Sequence, residues 1–592
     1  MCVIHEEEVA CMSKIRINEI YIANYRSFGN KAQTITFPNE NYKRPVAIVG
    51  YNNAGKTNLL NAILIGLTAK YVGKETFCVD DFHNRDLLKK ISINSTLEGS
   101  AEKTSSGNEV KLDGELFLEL EVDETEILNA KMNSDNKKIS GAAKYYKIFY
   151  VNFHEIKKEL SIKKSSWGNL TSFLAKFIKS SITSDPDIIN KRTLFNGKMR
   201  SLSDEMISES FLYDFIDNIK TNYEKNLRDN SCLIEFGLPE YDDLFLEMIF
   251  KVGINGDREN LIPIEHFGDG YISMFVMSII QTIAETNTDD RCVFIFEEPE
   301  SFLHENHQEY FYKKVLCELT EKGHQVIYTT HSHKMIDIFD TRGLVRLEFD
   351  EDLKQSVVAF NDYNGDFDED IKEVFTLEEI ADYNNYIKSI EPNLNKIIFS
   401  KKVLLVEGPN DLMVYRQLIK KRVFNLTGDE KYAETYLNYK NIAIIPHHGK
   451  ATAIILAELC KHLGVDYFLI NDFDLPEGLL EKINFSSVKE LQESIFYKEE
   501  LELITINSLT TGKPYDLKTK RSMITNNYNL IQAAGGKNKI HFNMPKLEAV
   551  IGYTSNDKNS IGIWNEVNKD DFDDKGLFTP HLLEFLELDQ LK

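Results

Sequence analysis

Val46-Ala47-Ile48-Val49 runs directly into Gly50-Tyr51-Asn52-Asn53-Ala54-Gly55-Lys56-Thr57, and TNLLNAILIGL follows at helical period. A short β-branched apolar run, a Gly-rich turn and an amphipathic helix make a strand–loop–helix unit. Its turn matches GxxxxGK[ST] in the context that motif requires. Gly50, Asn53 and Gly55 let backbone N–H groups curl around phosphate oxygens. Lys56 supplies a point charge for the β- and γ-phosphates, and Thr57 offers a hydroxyl to Mg²⁺. The reading is of an α/β chain that binds ATP.

Two further strand ends belong with this unit. Val293-Phe294-Ile295-Phe296 is an apolar run that ends in Glu297-Glu298-Pro299. Carboxylates at such an end can hold the Mg²⁺ shell and orient an attacking water. Tyr328-Thr329-Thr330-His331 also ends a strand, and His331 is placed to donate to a γ-phosphate. Alone, a Glu pair or a single His is ordinarily structural; the order along the chain gives these their weight. Between the two parts, residues 155–250 carry amphipathic runs such as WGNLTSFLAKFIKSSI and read as a helical insertion.

A new α/β pattern begins near Lys401. Leu404-Leu405-Val406-Glu407-Gly408-Pro409-Asn410-Asp411 reads as a strand, a Gly-Pro turn and a helix start. Tyr467-Phe468-Leu469-Ile470 ends in Asn471-Asp472-Phe473-Asp474. Asp472 and Asp474, two apart on a strand, are expected on one face. If the two strands are neighbours, Glu407, Asp411, Asp472 and Asp474 converge at one sheet edge. Four carboxylates stay ionised together only when divalent cations neutralise them, and hard oxygen ligands suit Mg²⁺ or Mn²⁺.

The whole chain sets limits on these readings. Its 592 residues suggest several domains at roughly 150 residues each, and 42% hydrophobic with 27% charged residues is globular composition. Lys and Arg number 69 against 93 Asp and Glu, a net charge of −24, so a nucleic-acid site must be a local groove or rely on metal ions. Lys401-Lys402, Lys420-Lys421-Arg422 and Lys518 to Arg521 are the candidate backbone contacts. Seven cysteines without CxxC spacing read as a reduced, cytoplasmic protein. No run of about 18 apolar residues is present, so no membrane partner is expected.

The order of motifs over residues 15–340 resembles the ATP-binding-cassette and SMC/Rad50-like ATPases. Asn24-Tyr25-Arg26-Ser27-Phe28 is similar to their N-terminal segment, which makes Arg26 a nucleotide-site candidate. By the same resemblance Glu297 and Glu298 are the Walker B pair with Glu298 catalytic, PESFLH (299–304) is the D-loop and His331 is the switch His. Glu297 stands where Asp is usual, and Phe267-Gly268-Asp269-Gly270 stands in place of the signature Ser-Gly-Gly. ATP sits between two heads in those families, so a homodimer or higher oligomer is implied.

The EGxxD and DxD pair resembles the TOPRIM domain, and the joint architecture looks like the OLD (overcoming lysogenization defect) family of endonucleases. That group includes the Gabija nuclease and retron-linked defence nucleases. The resemblance implies an ABC/SMC-like head with a helical dimerisation insertion, then a TOPRIM domain. The expected boundaries are 1–12 extension, 13–154 first ATPase lobe, 155–250 insertion, 251–397 second lobe and 398–592 TOPRIM. It implies an ATP-regulated, metal-dependent cut in double-stranded DNA, with antiphage defence as the setting. A defence partner protein or a retron nucleic acid is the further partner it implies. Glu407, Asp411, Asp472 and Asp474 become metal ligands; Glu407 and Asp472 are catalytic, with Glu407 also a candidate general base. Lys546, in Met544-Pro545-Lys546-Leu547-Glu548, faces the developing phosphate charge. An SMC-like scaffold that does not cleave, and a TOPRIM primase or topoisomerase, are the alternatives.

Overall fold

The computed structural model describes residues 11–13, 15–67, 78–103, 108–111, 114–122, 128–134, 148–155, 194–195, 197–199, 201–202, 205, 217–220, 251–252, 261–286, 291–363, 375–508, 512–554, 559–569 and 571–591. The expected helical insertion lies almost wholly outside them.

The chain opens with β1 (Arg16–Ala23), β2 (Gln33–Thr36) and β3 (Val46–Gly50), then α1 (Lys56–Leu67). There follow β4 (Ile91–Glu98), β5 (Gly114–Val122), β6 (Leu128–Ser134) and β7 (Ile148–Asn152). After them come α2 (Asp269–Thr286), β8 (Val293–Glu297), β9 (Gln325–Thr329), β10 (Leu344–Asp350) and β11 (Gln355–Asn361). Two sheets result. One is antiparallel, in the order β2-β1-β4-β5-β6. In β4, buried positions alternate with half-buried ones, the signature of a sheet with one covered face. The other has the order β7-β8-β9-β3-β10-β11, parallel except at β11. Every residue of β3, β8 and β9 is buried, which is why those strands read as unbroken apolar runs. Helix α1 lies between the sheets; Leu59, Leu60 and Ile63 share one core with Ile20, Ile22, Ile93 and Ile295.

The parallel sheet fixes the geometry of one site. Glu297 is in register with Thr329, and Thr329 with Ile48, so the ends of β8, β9 and β3 share an edge. Asn152, at the end of β7, is level with Glu297 on the other side.

Helix α3 (Leu377–Ile390) leads into the second α/β unit. It contains β12 (Lys402–Val406), α4 (Pro409–Thr427), β13 (Ile442–Pro446), α5 (Lys450–His462) and β14 (Asp466–Asp472). Then follow α6 (Leu517–Ala533) and β15 (Ile540–Asn543). Its sheet is parallel, in the order β13-β12-β14-β15. Both faces are covered. Leu404 and Val406 pack with Val414 and Leu418 of α4; Val403 and Leu405 share the opposite core with Ile455 and Leu459 of α5. That second core continues into Phe294 and Phe296 of the first unit, so the two halves are joined by buried apolar surface. Among the described residues no helix is long and apolar enough to cross a membrane.

Candidate functional site

The turn after β3 is built on backbone that other residues resist. Gly55 has φ of 98°, and a Cβ there would sit 2.4 Å from Ser356 Oγ and 2.8 Å from Ser27 Oγ. Asn53 is also left-handed, at φ of 68°. Lys56 is buried, and its ammonium donates to the Gly50 and Tyr51 carbonyls at 3.0 and 2.9 Å. Burial pulls its pKa down to about 8, against the opposing pull of Glu298, Glu300 and Glu297. Thr57 Oγ1 donates to Glu297 Oε1, and the Tyr150 hydroxyl donates to Glu297 Oε2 at 2.5 Å.

Glu298 begins the turn after β8 with φ of 45°, and its N–H donates to Thr329 Oγ1 at 3.1 Å. Its carboxylate lies between His331 Nε2 at 3.3 Å and His154 Nε2 at 2.6 Å. The hydrogen bond from His331, then that from His154, holds its pKa near 2. His331 therefore addresses Glu298. Glu300 is a further carboxylate here. It accepts from Thr330 Oγ1 at 2.8 Å and His331 N–H at 2.6 Å, and burial raises its proton affinity. Glu300 stood in the PESFLH stretch of the sequence, but Tyr150 and His154 were not found there. Those two sit on or just past β7, and only the pairing of β7 with β8 brings them in.

Arg26 is left-handed at φ of 50° and donates through Nε to Asp81 Oδ1 at 2.8 Å, over the Tyr25 ring. Its loop borders the phosphate turn through Ser27, which accepts from Asn58 Nδ2 at 2.9 Å. The Phe267–Gly270 segment starts α2 against the D-loop-like turn: a Cβ on Gly270 would be 3.0 Å from the Phe302 carbonyl oxygen. Tyr271 (72% exposed) and Phe302 (51%) make that edge apolar.

In the second unit β12 and β14 are direct neighbours, and three carboxylates meet beyond their ends. Glu407 Oε2 accepts from Asp472 N–H at 2.8 Å and Asn471 Nδ2 at 3.2 Å. Asp411 lies in the first turn of α4 and accepts from Gly408 N–H at 3.2 Å; its Oδ1 is buried without a hydrogen-bond partner among the described residues. Asp472 Oδ1 accepts from Leu547 N–H at 2.9 Å. Burial and then the Glu407 charge raise the pKa of Asp411 to about 7. The same causes, with Asp411 added, raise Asp472 to about 8. Glu548, buried two residues beyond Lys546, adds to the repulsion on Asp411, a fifth acid that was quoted in the sequence without a role. Lys546 Nζ is half-exposed, 3.7 Å from Glu548 Oε2.

Two expectations meet detail that the sequence did not show. Asp474 lies beyond the strand that carries Asp472, and its charge still adds to the repulsion on Asp472. Strand β14 ends at Asp472, and Asp474 turns left-handed at φ of 60°, so strand alternation no longer governs it. Its Oδ2 is paired with Lys450 Nζ at 2.9 Å. The basic runs are also largely occupied. Lys402 bonds Glu587, Lys420 bonds Glu434, Lys421 donates to the Val567 carbonyl and Arg422 binds Asp574 through two nitrogens. Lys520 donates to the Ile504 carbonyl and Arg521 to the Tyr497 and Lys498 carbonyls. Among the described residues, only Lys401 and Lys518 of those groups are exposed without such bonds.

Among the described residues no three His, Cys, Asp or Glu side chains already enclose a metal-sized space. Unneutralised carboxylates repel, and here they rest on backbone amides instead. Glu407, Asp411 and Asp472 nevertheless fit a divalent cation. They are hard oxygen donors; Asp411 and Asp472 have raised proton affinities, and one buried Asp411 oxygen has no other bond among the described residues.

Comparison with known proteins agrees with both halves. A family model described as an AAA ATPase domain matches residues 16–336. One described as an overcoming lysogenization defect protein-like TOPRIM domain matches 398–474. The Old nuclease of Escherichia phage P2 is 25% identical over 501 residues, 79% of this chain and 78% of that protein. The endonuclease GajA of Bacillus cereus (strain VD045) is 25% identical over 551 residues, 86% of this chain and 82% of that one. An Smc head domain from Pyrococcus furiosus aligns at 16% identity, 62% of this chain and 100% of that one, with a TM-score of 0.34.

Proposed function

The chain belongs to the AAA ATPase-domain family and carries an OLD-like TOPRIM domain, and from that premise we propose that it is an ATP-regulated, divalent-metal-dependent DNA endonuclease. The observation that carries the reading is the meeting of Glu407, Asp411 and Asp472 beyond β12 and β14, where burial and then the neighbouring carboxylate charge raise the proton affinities of Asp411 and Asp472. A divalent ion, Mg²⁺ or Mn²⁺, supplies charge neutralisation and activates water at a phosphodiester. Glu407 and Asp472 hold the reacting centre, Asp411 completes the ligand set, and Lys546 meets the charge developing on the phosphate.

In the first half, Gly50 to Thr57 takes the phosphates of ATP, and Glu297 with Thr57 takes its Mg²⁺. Glu298 orients water, with His331 and His154 fixing its position. Arg26 borders this site through the Ser27 loop. Residues 13–397 are read as the ATPase, interrupted by 155–250 as a dimerisation region, and 398–592 as the nuclease. The apolar edge at Tyr271 and Phe302 supports closure of two heads over nucleotide. Double-stranded DNA in the cytoplasm, in antiphage defence, is the setting this reading implies.

The test is cleavage of supercoiled plasmid in Mg²⁺ or Mn²⁺ by the wild-type chain and by Asp472→Ala. Loss of cutting in the variant with ATP hydrolysis intact is expected; equal cutting removes the assignment. A second reading, an ATP-driven scaffold that does not cleave, is favoured by one fact: Asp474 is engaged by Lys450. Absence of metal-dependent cutting by the wild type would select it.

A further inference from the structure

Of the four acids expected to hold metal, three have only neutral hydrogen-bond donors among the described residues. Glu407 takes Asn471 and a backbone amide, Asp472 takes the Leu547 amide and Asp411 the Gly408 amide. Among the described residues Asp474 alone of the four has a cation. Lys450 Nζ stands 2.9 Å from Asp474 Oδ2 and 2.9 Å from Asn527 Oδ1. Its side chain is 17% exposed.

This pair is built from three directions. Lys450 is the first residue of α5, so its backbone is set by the turn at Gly449. Asn527 is fully buried on α6, and its Nδ2 donates to the Phe473 carbonyl at 2.8 Å. The same amide side chain thus fixes both the ammonium and the loop that carries Asp474. Asp474 N–H in turn donates to the Pro545 carbonyl at 2.8 Å, one residue before Lys546. An ammonium held by a carboxylate and a buried amide oxygen is not a surface lysine that happens to lean over.

We propose that Lys450 is the built-in counter-cation of Asp474 and stands in place of a second divalent ion, so that the centre takes one divalent ion, at Glu407, Asp411 and Asp472. This rests on the nuclease reading above. The physical reason is charge. A divalent ion on Asp474 would lie within a few ångströms of the ammonium, and like charges at that range repel strongly even at a half-exposed site. The tether gives the ammonium a high local concentration that a free ion must outcompete.

Mn²⁺ is the probe, added to nucleotide-free full-length protein. Calorimetric titration gives the stoichiometry, and electron paramagnetic resonance separates an isolated ion from a spin-coupled pair. Wild type should bind one ion per chain with an uncoupled spectrum. Lys450→Met should bind two, with a coupled signal, the second at least about tenfold tighter than any second event in wild type. Lys450→Arg keeps the cation and should return the stoichiometry to one, which a merely structural lysine would not explain. Thermal midpoints of the three proteins verify folding. Two ions in wild type, or one in a folded Lys450→Met, overturns the inference while leaving a metal nuclease standing. No ion in either protein overturns it together with the nuclease reading.

Discussion

Replacing Asp472 by Asn should make the metal-free protein more stable while abolishing cleavage. Asp472 is buried beside Glu407 and Asp411, and its pKa rises from 3.8 to about 8. A carboxyl group that binds its proton more tightly when folded makes the folded state richer in protons between the two values. Stability is then greatest at and below the unfolded pKa and falls as pH climbs through the folded one. Ionising Asp472 in place costs up to about 6 kcal/mol at 1.36 kcal/mol per pKa unit. Asn cannot ionise, and its Oδ1 can still accept from Leu547 N–H. Crediting only part of the cost, because Glu407 and Asp411 share it, the variant should gain about 3–5 kcal/mol at pH 8.5 in chelator. For a unit of this size that moves a thermal midpoint by on the order of 10 °C. The assay is a melting series from pH 5 to 9 with chelator, repeated with Mg²⁺ or Mn²⁺. The difference between the proteins should shrink toward pH 5. Metal should raise the wild-type midpoint at high pH and not that of the variant. A variant that melts at or below wild type at pH 8.5 in chelator would refute the repulsion argument.

Three other outcomes follow from named contacts. Lys56→Ala removes two charge-assisted bonds and the phosphate point charge, so ATP affinity by calorimetry should fall at least tenfold, about 1.5–3 kcal/mol, without loss of fold; unchanged affinity contradicts the site. Glu298→Gln should lower ATP turnover about 10²–10⁴-fold while binding persists. Since the two histidines hold Glu298 near pKa 2, wild-type hydrolysis should show no acid limb from this group above about pH 4. Arg422→Ala breaks the two-nitrogen contact to Asp574 and the stack 4.5 Å over Phe578. It should cost about 1–2 kcal/mol in chemical denaturation and leave DNA affinity in gel shift unchanged; the reverse pattern would restore it as a DNA contact.

What could be read from sequence was local or buried on both sides. The phosphate turn was legible because its glycines and lysine are consecutive. Strands β3, β8, β12 and β14 were legible because burial on both faces leaves few polar interruptions. Residues that act across strands stayed hidden. His154 and Tyr150 matter only through the register of β7 with β8, and β15 is four residues whose value is that Leu547, just beyond it, caps Asp472. The ion pair of Asp474 with Lys450 stayed hidden because the period-two rule holds only while a strand continues, and this one stops at Asp472. Charge runs misled for a related reason: composition shows that Lys420 and Arg422 are basic, but not that Glu434 and Asp574, 14 and 152 residues away, have already taken them.

The lysine at the nuclease centre is also the near end of a connection to the phosphate turn. Gly55 packs on Ser356 of β11. Further along that strand, Phe360 meets the ring of His462 at 5.4 Å, at the far end of α5. Beside it Arg346 of β10, in register with Val49 of β3, donates to the Gly464 carbonyl at 3.1 Å and pairs with Glu348 at 2.8 Å. Helix α5 then spans thirteen residues, roughly 20 Å at 1.5 Å per residue, to Lys450. Its buried face is packed into the core shared by both units, so it can shift as a body more easily than it can bend. The β10–β11 hairpin and Lys450 are therefore at the two ends of one packed helix. The cation that engages Asp474 thus begins a helix whose far end touches the ATPase half.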